Sequence, residues 1–148
     1  MSKIQITSFF HEPTFTVTYV VADPATNACA IIDPVMDYDA ASGTLSSEFA
    51  DKIVSFIDKN GLSTEWILET HAHADHLTAA PYLKAKLGGL IGIGEHIRRV
   101  QSTFKSIYNL EDSFPSDGSQ FDLLFGDGEV ISLGHLDIEV LQLNLSYF

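Results

Sequence analysis

One short segment, crowded with metal-binding side chains, constrains this chain most strongly. Residues 70–76 read Thr-His-Ala-His-Ala-Asp-His and directly follow an apolar run. Imidazole nitrogens and carboxylate oxygens suit Zn²⁺ and Fe²⁺, and histidines at alternate positions let two rings of one extended segment converge on one ion. A lone histidine is usually a core or surface residue, but four potential ligands within six positions indicate a metal site. The segment predicts a metal site made by His71, His73, Asp75 and His76.

Composition indicates a packed globular protein and argues against two classes of partner. The 148 residues are 45% hydrophobic, which suits one domain over residues 1–148 with its own core. Eight Lys and Arg stand against 20 Asp and Glu, so the formal net charge is −12. Because this charge repels nucleic acid phosphates and anionic lipids, we expect neither a nucleic acid nor a membrane partner.

The single cysteine and the N-terminal residues indicate the cellular compartment of the protein. Cys29 lies in an apolar run, which predicts a buried structural thiol and excludes an intrachain disulfide. The N-terminal residues show no signal-peptide pattern, and no apolar run approaches the roughly 18 residues of a membrane span. We therefore expect a cytoplasmic protein.

Hydrophobic patterns predict a hairpin followed by a helix. Residues 15–22 are rich in β-branched and aromatic side chains, residues 23–27 form a turn cluster, and residues 28–32 are apolar, so two strands are expected to open the fold. From Ser46 or Ser47, either of which can cap the first amides, apolar residues recur at helical spacing until Asn60-Gly61.

The metal segment is predicted to join a strand to a helix. Residues 65–69 read as a buried strand, and Leu77, Ala80, Leu83 and Leu87 mark a helix. Pro81 is tolerated only in a first turn, which places the expected helix start near Asp75 or His76. The site would then lie between a strand's C-terminal end and a helix's N-terminal end, a common ligand position in α/β sheets.

The remaining chain is predicted to alternate strands, turns and one helix. Residues 90–93 read as a strand and 95–107 as a helix. Two strands are expected after residue 121, and the alternation of the last one shifts by one residue near Leu141, as a β-bulge would produce.

Several segments together resemble a known family. The loop 70–76, preceded by Ile-Ile-Asp-Pro-Val at 31–35, resembles the metallo-β-lactamase superfamily and within it the glyoxalase II and persulfide dioxygenase branch. The likeness continues in residues 77–84, 93–95, 117–122 and 126–128.

The resemblance implies an α/β (α+β) fold and a role for each loop residue. The family fold is an αββα sandwich of two similar halves, and this chain resembles the N-terminal half, a mixed sheet with helices on one face. In dinuclear members the positions matching His71 and His73 hold one metal, and those matching Asp75 and His76 hold the other. In persulfide dioxygenases two histidines and one aspartate hold one iron, and only the first of these maps here, onto His71. Asp33 resembles the strand-end aspartate that steadies the loop, and Thr70 shares that supporting role.

The chain departs from the family pattern at its C-terminal end. After a strand like 136–141 the family has a Pro-Gly-His-Thr turn and, later, an aspartate and a histidine that complete the ligands. Here the chain reads Gln-Leu-Asn-Leu-Ser-Tyr-Phe over 142–148, and His135 is predicted to be a turn residue. We expect weak or partial metal binding by an isolated chain. Half a sandwich would also expose an apolar sheet face, for which a second copy in a homodimer is the simplest cover.

Three functions remain open from the sequence. The first is an enzyme holding Zn or Fe, with Asp75 orienting or deprotonating a bound water to hydrolyse a thioester. The resemblance to persulfide dioxygenases implies a different chemistry, in which Fe²⁺ activates O₂ to oxidise glutathione persulfide to sulfite, and the likeness favours this substrate class. The second is a non-catalytic dimeric binding or structural protein, and the third is one half of a split metallohydrolase.

Overall fold

The computed structural model describes residues 3–143. Within them the chain forms eleven strands, three α-helices and one 3₁₀ turn at Glu12–Thr14. The strands are β1 Gln5–His11, β2 Thr16–Ala22, β3 Ala28–Ile32, β4 Val35–Asp39, β5 Thr44–Ser46, β6 Ser63–Glu69, β7 Leu77–Thr78, β8 Leu90–Gly94, β9 Leu123–Phe125, β10 Val130–Leu133 and β11 Leu136–Glu139. The helices are α1 Glu48–Asn60, α2 Ala80–Leu87 and α3 Ile97–Ile107.

A six-stranded mixed sheet organises the fold. Its strand order is β1-β2-β3-β6-β8-β9. The first three strands pair antiparallel, and β3, β6, β8 and β9 pair parallel. Parallel neighbours need crossover connections, and α1, α2 and α3 lie in those connections. The C-terminal ends of β3 and β6 therefore meet at one edge, where Asp33 and the loop 70–76 follow them.

Helices α1 and α2 cover one face of this sheet. The apolar side of α1, spaced as the sequence predicts, meets alternate residues of β2, β3 and β6 in one buried cluster. The helix ends where Gly61 adopts a left-handed φ of 61°, as expected for Asn-Gly. At its start, Ser46 Oγ accepts the Glu48 amide at 3.3 Å, whereas Ser47 Oγ donates to Asp51 instead. Of the two predicted caps, Ser46 therefore contacts the helix amides.

The opposite face of the sheet is only partly covered. The β10–β11 hairpin packs Leu133 against Ala28 and Ala30, and Trp66 Nε1 donates to the Ser132 carbonyl at 2.8 Å. Next to this hairpin the side chains of β1 and β2 stay open, with exposed fractions of 61% for Ile6, 57% for Phe10 and 41% for Tyr19. The exposed apolar face expected from the sequence is therefore present on the β1–β2 side. Whether a second copy covers it stays a prediction.

The strand predictions near the start were partly wrong. The β2–β3 hairpin is confirmed, although Phe15 precedes β2 with a left-handed φ of 54°. The fold does not open with these two strands, because β1 precedes them and pairs along the whole of β2. Strands β4 and β5, which form a small second sheet in the order β5-β4-β7, were also not predicted.

The predicted start of the second helix, near Asp75 or His76, was wrong. Helix α2 begins at Ala80, because Leu77 and Thr78 pair with Met36 and Val35 as strand β7. Pro81 lies in the first turn as expected, and Thr78 Oγ1 accepts the Ala80 amide at 3.0 Å. The metal segment therefore runs from the end of one strand into another short strand, and the helix starts beyond it.

The C-terminal predictions also need correction. Three strands, rather than two, follow residue 121, and β11 ends at Glu139. No strand continues to Leu141 among the described residues, so the expected bulge has no strand there. Beyond β11 the Gln142 amide donates a hydrogen bond to Asp127 Oδ1 at 2.7 Å. Residues 144–148, the rest of the predicted alternation, lie outside the described residues.

Two smaller predictions concern Cys29 and the membrane. Cys29 is fully buried with its Sγ 3.6 Å from Thr64 Oγ1, which confirms a structural thiol. Burial raises the pKa of this thiol and so keeps it unreactive. None of the three helices in residues 3–143 has the length and apolar character needed to span a bilayer.

Gly92 on β8 provides a sharp test of the packing on the hairpin side of the sheet. A Cβ there would lie 2.7 Å from Cζ of the buried Phe125, whose ring packs edge-on against Trp66. We expect Gly92→Ala to lower the free energy of unfolding by about 1–3 kcal/mol. Gly94→Ala on the same strand meets nothing within 4 Å and should change it by less than about 0.5 kcal/mol. Urea unfolding of both variants measures the difference, and equal losses would contradict this packing.

Candidate metal centre

A carboxylate at the end of β3 fastens the metal segment to the sheet. Asp33 adopts a left-handed φ of 53°, a conformation in which a non-glycine residue is strained. Its Oδ1 accepts the Thr70 amide at 2.7 Å, and its Oδ2 accepts the Thr70 hydroxyl at 2.7 Å. The supporting contacts predicted for Asp33 and Thr70 are thus present. They join the ends of β3 and β6 at the point where the loop begins.

The Thr70 hydroxyl also orients the first histidine. Its oxygen lies 2.8 Å from Nδ1 of His71. Because Thr70 gives its only hydroxyl proton to Asp33, Nδ1 of His71 must be the donor in this contact. The Nε2 of His71 is then the nitrogen with a free lone pair, which is the form that binds a metal.

The three loop histidines stack within reach of one another. Their ring centroids are 4.1 Å apart between His71 and His73 and 4.2 Å apart between His73 and His76. Two groups offer ligand atoms that all lie within 4.8 Å of one another, namely Asp33, His71 and His73, and His73, Asp75 and His76. The structure therefore brings all four predicted ligands together. Asp33, predicted to support the loop, also enters one group.

His76 is buried, and its ring nitrogens lack hydrogen-bond partners among the described residues, as expected for a metal ligand in the absence of its ion. Its side chain is 1% exposed, and neither ring nitrogen has a hydrogen-bond partner within residues 3–143. A buried polar atom without a partner costs about 1–3 kcal/mol. Burial and the charge of His73 lower the pKa of His76, which favours the neutral, metal-binding form. An ion coordinated here would give one of these nitrogens the partner that it lacks, so the residues fit a metal.

His73 connects the two groups and pairs with two carboxylates. Its Nε2 lies 2.9 Å from Asp33 Oδ1 and 3.1 Å from Glu69 Oε2. Burial lowers the pKa of His73, but the hydrogen bonds and charges of Asp33 and Glu69 outweigh it and raise the pKa to about 9. In the metal-free protein His73 is therefore protonated near neutral pH. A metal that binds through it must displace this proton.

Glu69 was missed by the sequence analysis. It is the last residue of β6 and is buried, with Oε2 toward His73 and Oε1 accepting a hydrogen bond from the Thr78 hydroxyl. The available signal was an acidic residue two positions after the apolar Ile67, and therefore on the same buried face of the strand. Buried carboxylates are rare unless they are paired, so such a position predicts a partner.

Asp75 occupies the open side of the loop. Its side chain is 55% exposed, and its Oδ1 lies 3.4 Å from Nδ1 of His76. Oδ2 accepts a hydrogen bond from the Thr16 hydroxyl at 3.3 Å. A cleft of about 1050 Å³ adjoins it, with walls that include Pro13, Tyr38 and Leu77. A small substrate in this cleft would reach Asp75, the predicted catalytic residue, whose catalytic role stays a prediction.

Comparison with known proteins places the chain in a family. Residues 11–140 match the family described as the metallo-beta-lactamase superfamily. The chain belongs to that superfamily. The resemblance stated from the loop and its neighbouring segments is thereby confirmed.

Three relatives show how much of a longer protein the match covers. The chain is 49% identical over 136 residues to a beta-lactamase hydrolase-like protein of Agrobacterium fabrum, covering 92% of this chain and 31% of the relative. It is 45% identical over 142 residues to glyoxylase B2 of Dictyostelium discoideum, covering 95% and 49%. It is 26% identical over 138 residues to persulfide dioxygenase ETHE1 of Mus musculus, covering 93% and 42%. The chain thus spans half or less of the length of these relatives.

A solved structure supports the fold. The crystal structure of ETHE1 from Myxococcus xanthus superposes with a TM-score of 0.63 at 21% identity, covering 91% of this chain and 46% of that one. The mixed sheet and its helices are therefore those of a metallo-beta-lactamase domain, as predicted, over about half of the neighbour's length.

The raised pKa of His73 predicts a pH-dependent stability of the metal-free protein. Because the folded pKa of about 9 exceeds the ordinary value of 6.5, this histidine stabilises the fold fully below about pH 6.5. The contribution is lost as the pH rises to about 9. Urea unfolding with a chelator present should show this loss between about pH 6.5 and 9.5. The His73→Gln variant should lack this step, and an identical pH profile in both proteins would contradict the assignment.

Proposed function

We propose that this chain binds a single Fe²⁺ or Zn²⁺ ion through His73, Asp75 and His76. In this proposal it supplies the metal-binding loop of an enzyme that acts on small persulfides. The observation that carries the proposal is His76, a buried imidazole with both nitrogens unpaired among the described residues and next to a carboxylate. Two histidines with one carboxylate are the ligand set of non-haem iron oxygenases. Relatives named persulfide dioxygenase and glyoxylase support thiol chemistry.

Each side chain has a separate part in this proposal. When bound, iron supplies O₂ activation and zinc supplies Lewis acidity that lowers the pKa of a bound water to about 7. Asp33 and Glu69 accept hydrogen bonds from Nε2 of His73, so its Nδ1, 3.9 Å from Asp75 Oδ1, is the nitrogen that would hold the ion. Thr70 turns His71 toward the same space. Asp75 faces the cleft, where it can orient a substrate or accept a proton from it. Three ligands from one loop leave coordination positions open, so we expect weak or partial binding.

The cleft favours a substrate with little negative charge. Asp37, Asp39 and Glu48 line it together with Asp75, and its lining among residues 3–143 contains no Lys or Arg. Carboxylates in this arrangement repel anionic groups and raise the local concentration of neutral or cationic ones. A small persulfide or thioester is therefore a better fit to the described walls than a ligand with several carboxylates.

Metal analysis with matched histidine variants tests the metal site. We expect His76→Ala and His73→Ala to lower Fe²⁺ and Zn²⁺ affinity at least tenfold, because each removes a ligand. His135→Ala, at an exposed turn, should bind as the wild type does. Competition with a chromogenic chelator measures the affinity. Oxygen uptake with a persulfide and hydrolysis of a thioester, each with both metals, then separate the two reactions.

Opposite outcomes are informative. If wild-type and His73→Ala proteins bind both metals equally, the metal site is refuted. Thioester hydrolysis with zinc and no oxygen uptake with iron would favour the hydrolase instead. Metal binding without either activity would favour the non-catalytic protein or half of a split metallohydrolase.

A second proposal concerns the open sheet face and stands on a different observation. We propose that two copies cover it as a homodimer, because Ile6, Phe10 and Tyr19 form an exposed apolar patch on neighbouring strands.

The cytoplasmic location expected from the sequence also stays a prediction.

Light scattering at micromolar concentration measures this association. We expect the wild type to be a dimer and Phe10→Glu to be a monomer, since a charge on the patch would be buried without a partner. Ile107→Glu replaces an exposed apolar residue on α3, outside the patch, and should leave the dimer intact. A folded wild-type monomer would contradict the dimer without affecting the metal site.

A further inference from the structure

A chain of hydrogen bonds leads from Asp75 into the protein interior. The Thr16 hydroxyl donates to Asp75 Oδ2 at 3.3 Å and shares its proton with the Thr14 carbonyl at 3.4 Å. The Thr14 hydroxyl donates to Thr16 Oγ1 at 3.0 Å. Thr14 Oγ1 in turn lies 2.7 Å from Nδ1 of His11, whose Nε2 lies 2.9 Å from Asp37 Oδ1. Three consecutive contacts therefore join an exposed loop carboxylate to the buried His11, and a fourth joins His11 to the partly buried Asp37.

The inner end of this chain is rigid. His11 is 4% exposed, both of its ring nitrogens have partners, and its ring packs edge-on against Phe49 with centroids 4.8 Å apart. The other oxygen of Asp37 accepts the Phe49 amide at 2.7 Å in the first turn of α1. The pair is thus anchored to the start of α1, to the last residue of β1 and to the middle of β4. Capping the helix explains why Asp37 is present, but it does not explain contacts that continue through two threonines to the loop.

The outer end needs a support. Asp75 is more than half exposed on a loop, and an unrestrained side chain loses rotamer freedom when it binds an ion. Within residues 3–143, the Thr16 hydroxyl is the only hydrogen-bond donor from outside the loop that contacts Asp75. The left-handed Phe15 between the two threonines turns the chain so that both hydroxyls lie on this path.

We propose that His11, held by Asp37, is a positioning residue that sets the Asp75 carboxylate for the metal through Thr14 and Thr16. The proposal rests on the proposed function for the identity of the ion. It adds a support that reaches the loop from β1 and β2, in addition to the one that Asp33 provides from β3. Contacts of this kind behind a ligand typically change metal affinity by 10–100-fold.

Variants of the outer threonine test the chain through metal affinity. Thr16→Val removes the hydroxyl with little change of shape and should weaken Zn²⁺ binding about tenfold. Thr16→Ser restores the hydroxyl and should bind within about twofold of the wild type. The matched control is Thr7→Val on β1, whose hydroxyl makes no hydrogen bond within the described residues. Unchanged affinity of Thr16→Val would overturn the proposal.

A double-mutant cycle tests whether His11 acts through Thr16. His11→Gln offers an amide to Asp37 but no counterpart of Nδ1, and it should weaken Zn²⁺ binding about as much as Thr16→Val does. If the two act in one chain, the double variant should bind no more weakly than either single variant. If the fold-losses of Zn²⁺ affinity multiply in the double variant, the proposal is overturned, because His11 and Thr16 would then act independently. Urea unfolding of each variant separates lost affinity from lost folding.

A metal-free measurement distinguishes failure of this proposal from failure of the proposed function. In the chelator-treated protein, the ring nitrogen resonances of His11 should shift on Thr16→Val and on Asp75→Asn and stay unchanged on Thr7→Val. If the wild type binds no Zn²⁺ but these shifts occur, the contact chain is real and the proposed metal site fails. If His11 does not respond to either variant, the positioning chain is wrong whether or not the metal binds.

Discussion

The site depends on the carboxylate of Asp33, which holds two strand ends and the loop together. Its two hydrogen bonds to Thr70 restrain the segment where β6 ends, and the strained backbone at Asp33 persists because these contacts determine it. The same carboxylate contacts His73 and, with Glu69, raises its pKa. Asp33 thus restrains the loop and also raises the affinity of His73 for a proton, which competes with a metal for this histidine. Without the contacts of Asp33, the loop would lose the hydrogen bonds that restrain Thr70 and one of the two carboxylates that pair with His73.

The loop is supported from two directions by strands that lie far from it in the sequence. Asp33 acts from β3, and the His11–Asp37 pair reaches Asp75 from the β1–β2 side. The third side faces a cleft, and the sheet beyond it keeps an apolar patch open. The relatives compared above extend well beyond the matched residues, since the match covers only 31–49% of their lengths.

The errors in the fold prediction have a common cause. Strand β4 has a mixed pattern of Val35, Met36, Asp37 and Tyr38 that shows no clear alternation, so neither it nor its pairing with β7 could be expected. That pairing takes Leu77 away from the helix that its spacing suggests. By contrast, α1 has a complete apolar stripe and a glycine stop, and both are local signals that tertiary contacts reinforce. Prediction succeeded where local pattern and long-range pairing agreed.

The sequence by itself determined the family, the hairpin, the first helix and the four loop residues, because each depends on side chains close together along the chain. Only the tertiary structure decided that Glu69 lies under His73, that His76 is buried without a partner, and that Thr16 reaches Asp75. Thr16 and Asp75 are 59 positions apart. The contact exists because the order of strands in the sheet brings β2 beside the loop, and no local pattern of residues carries that information.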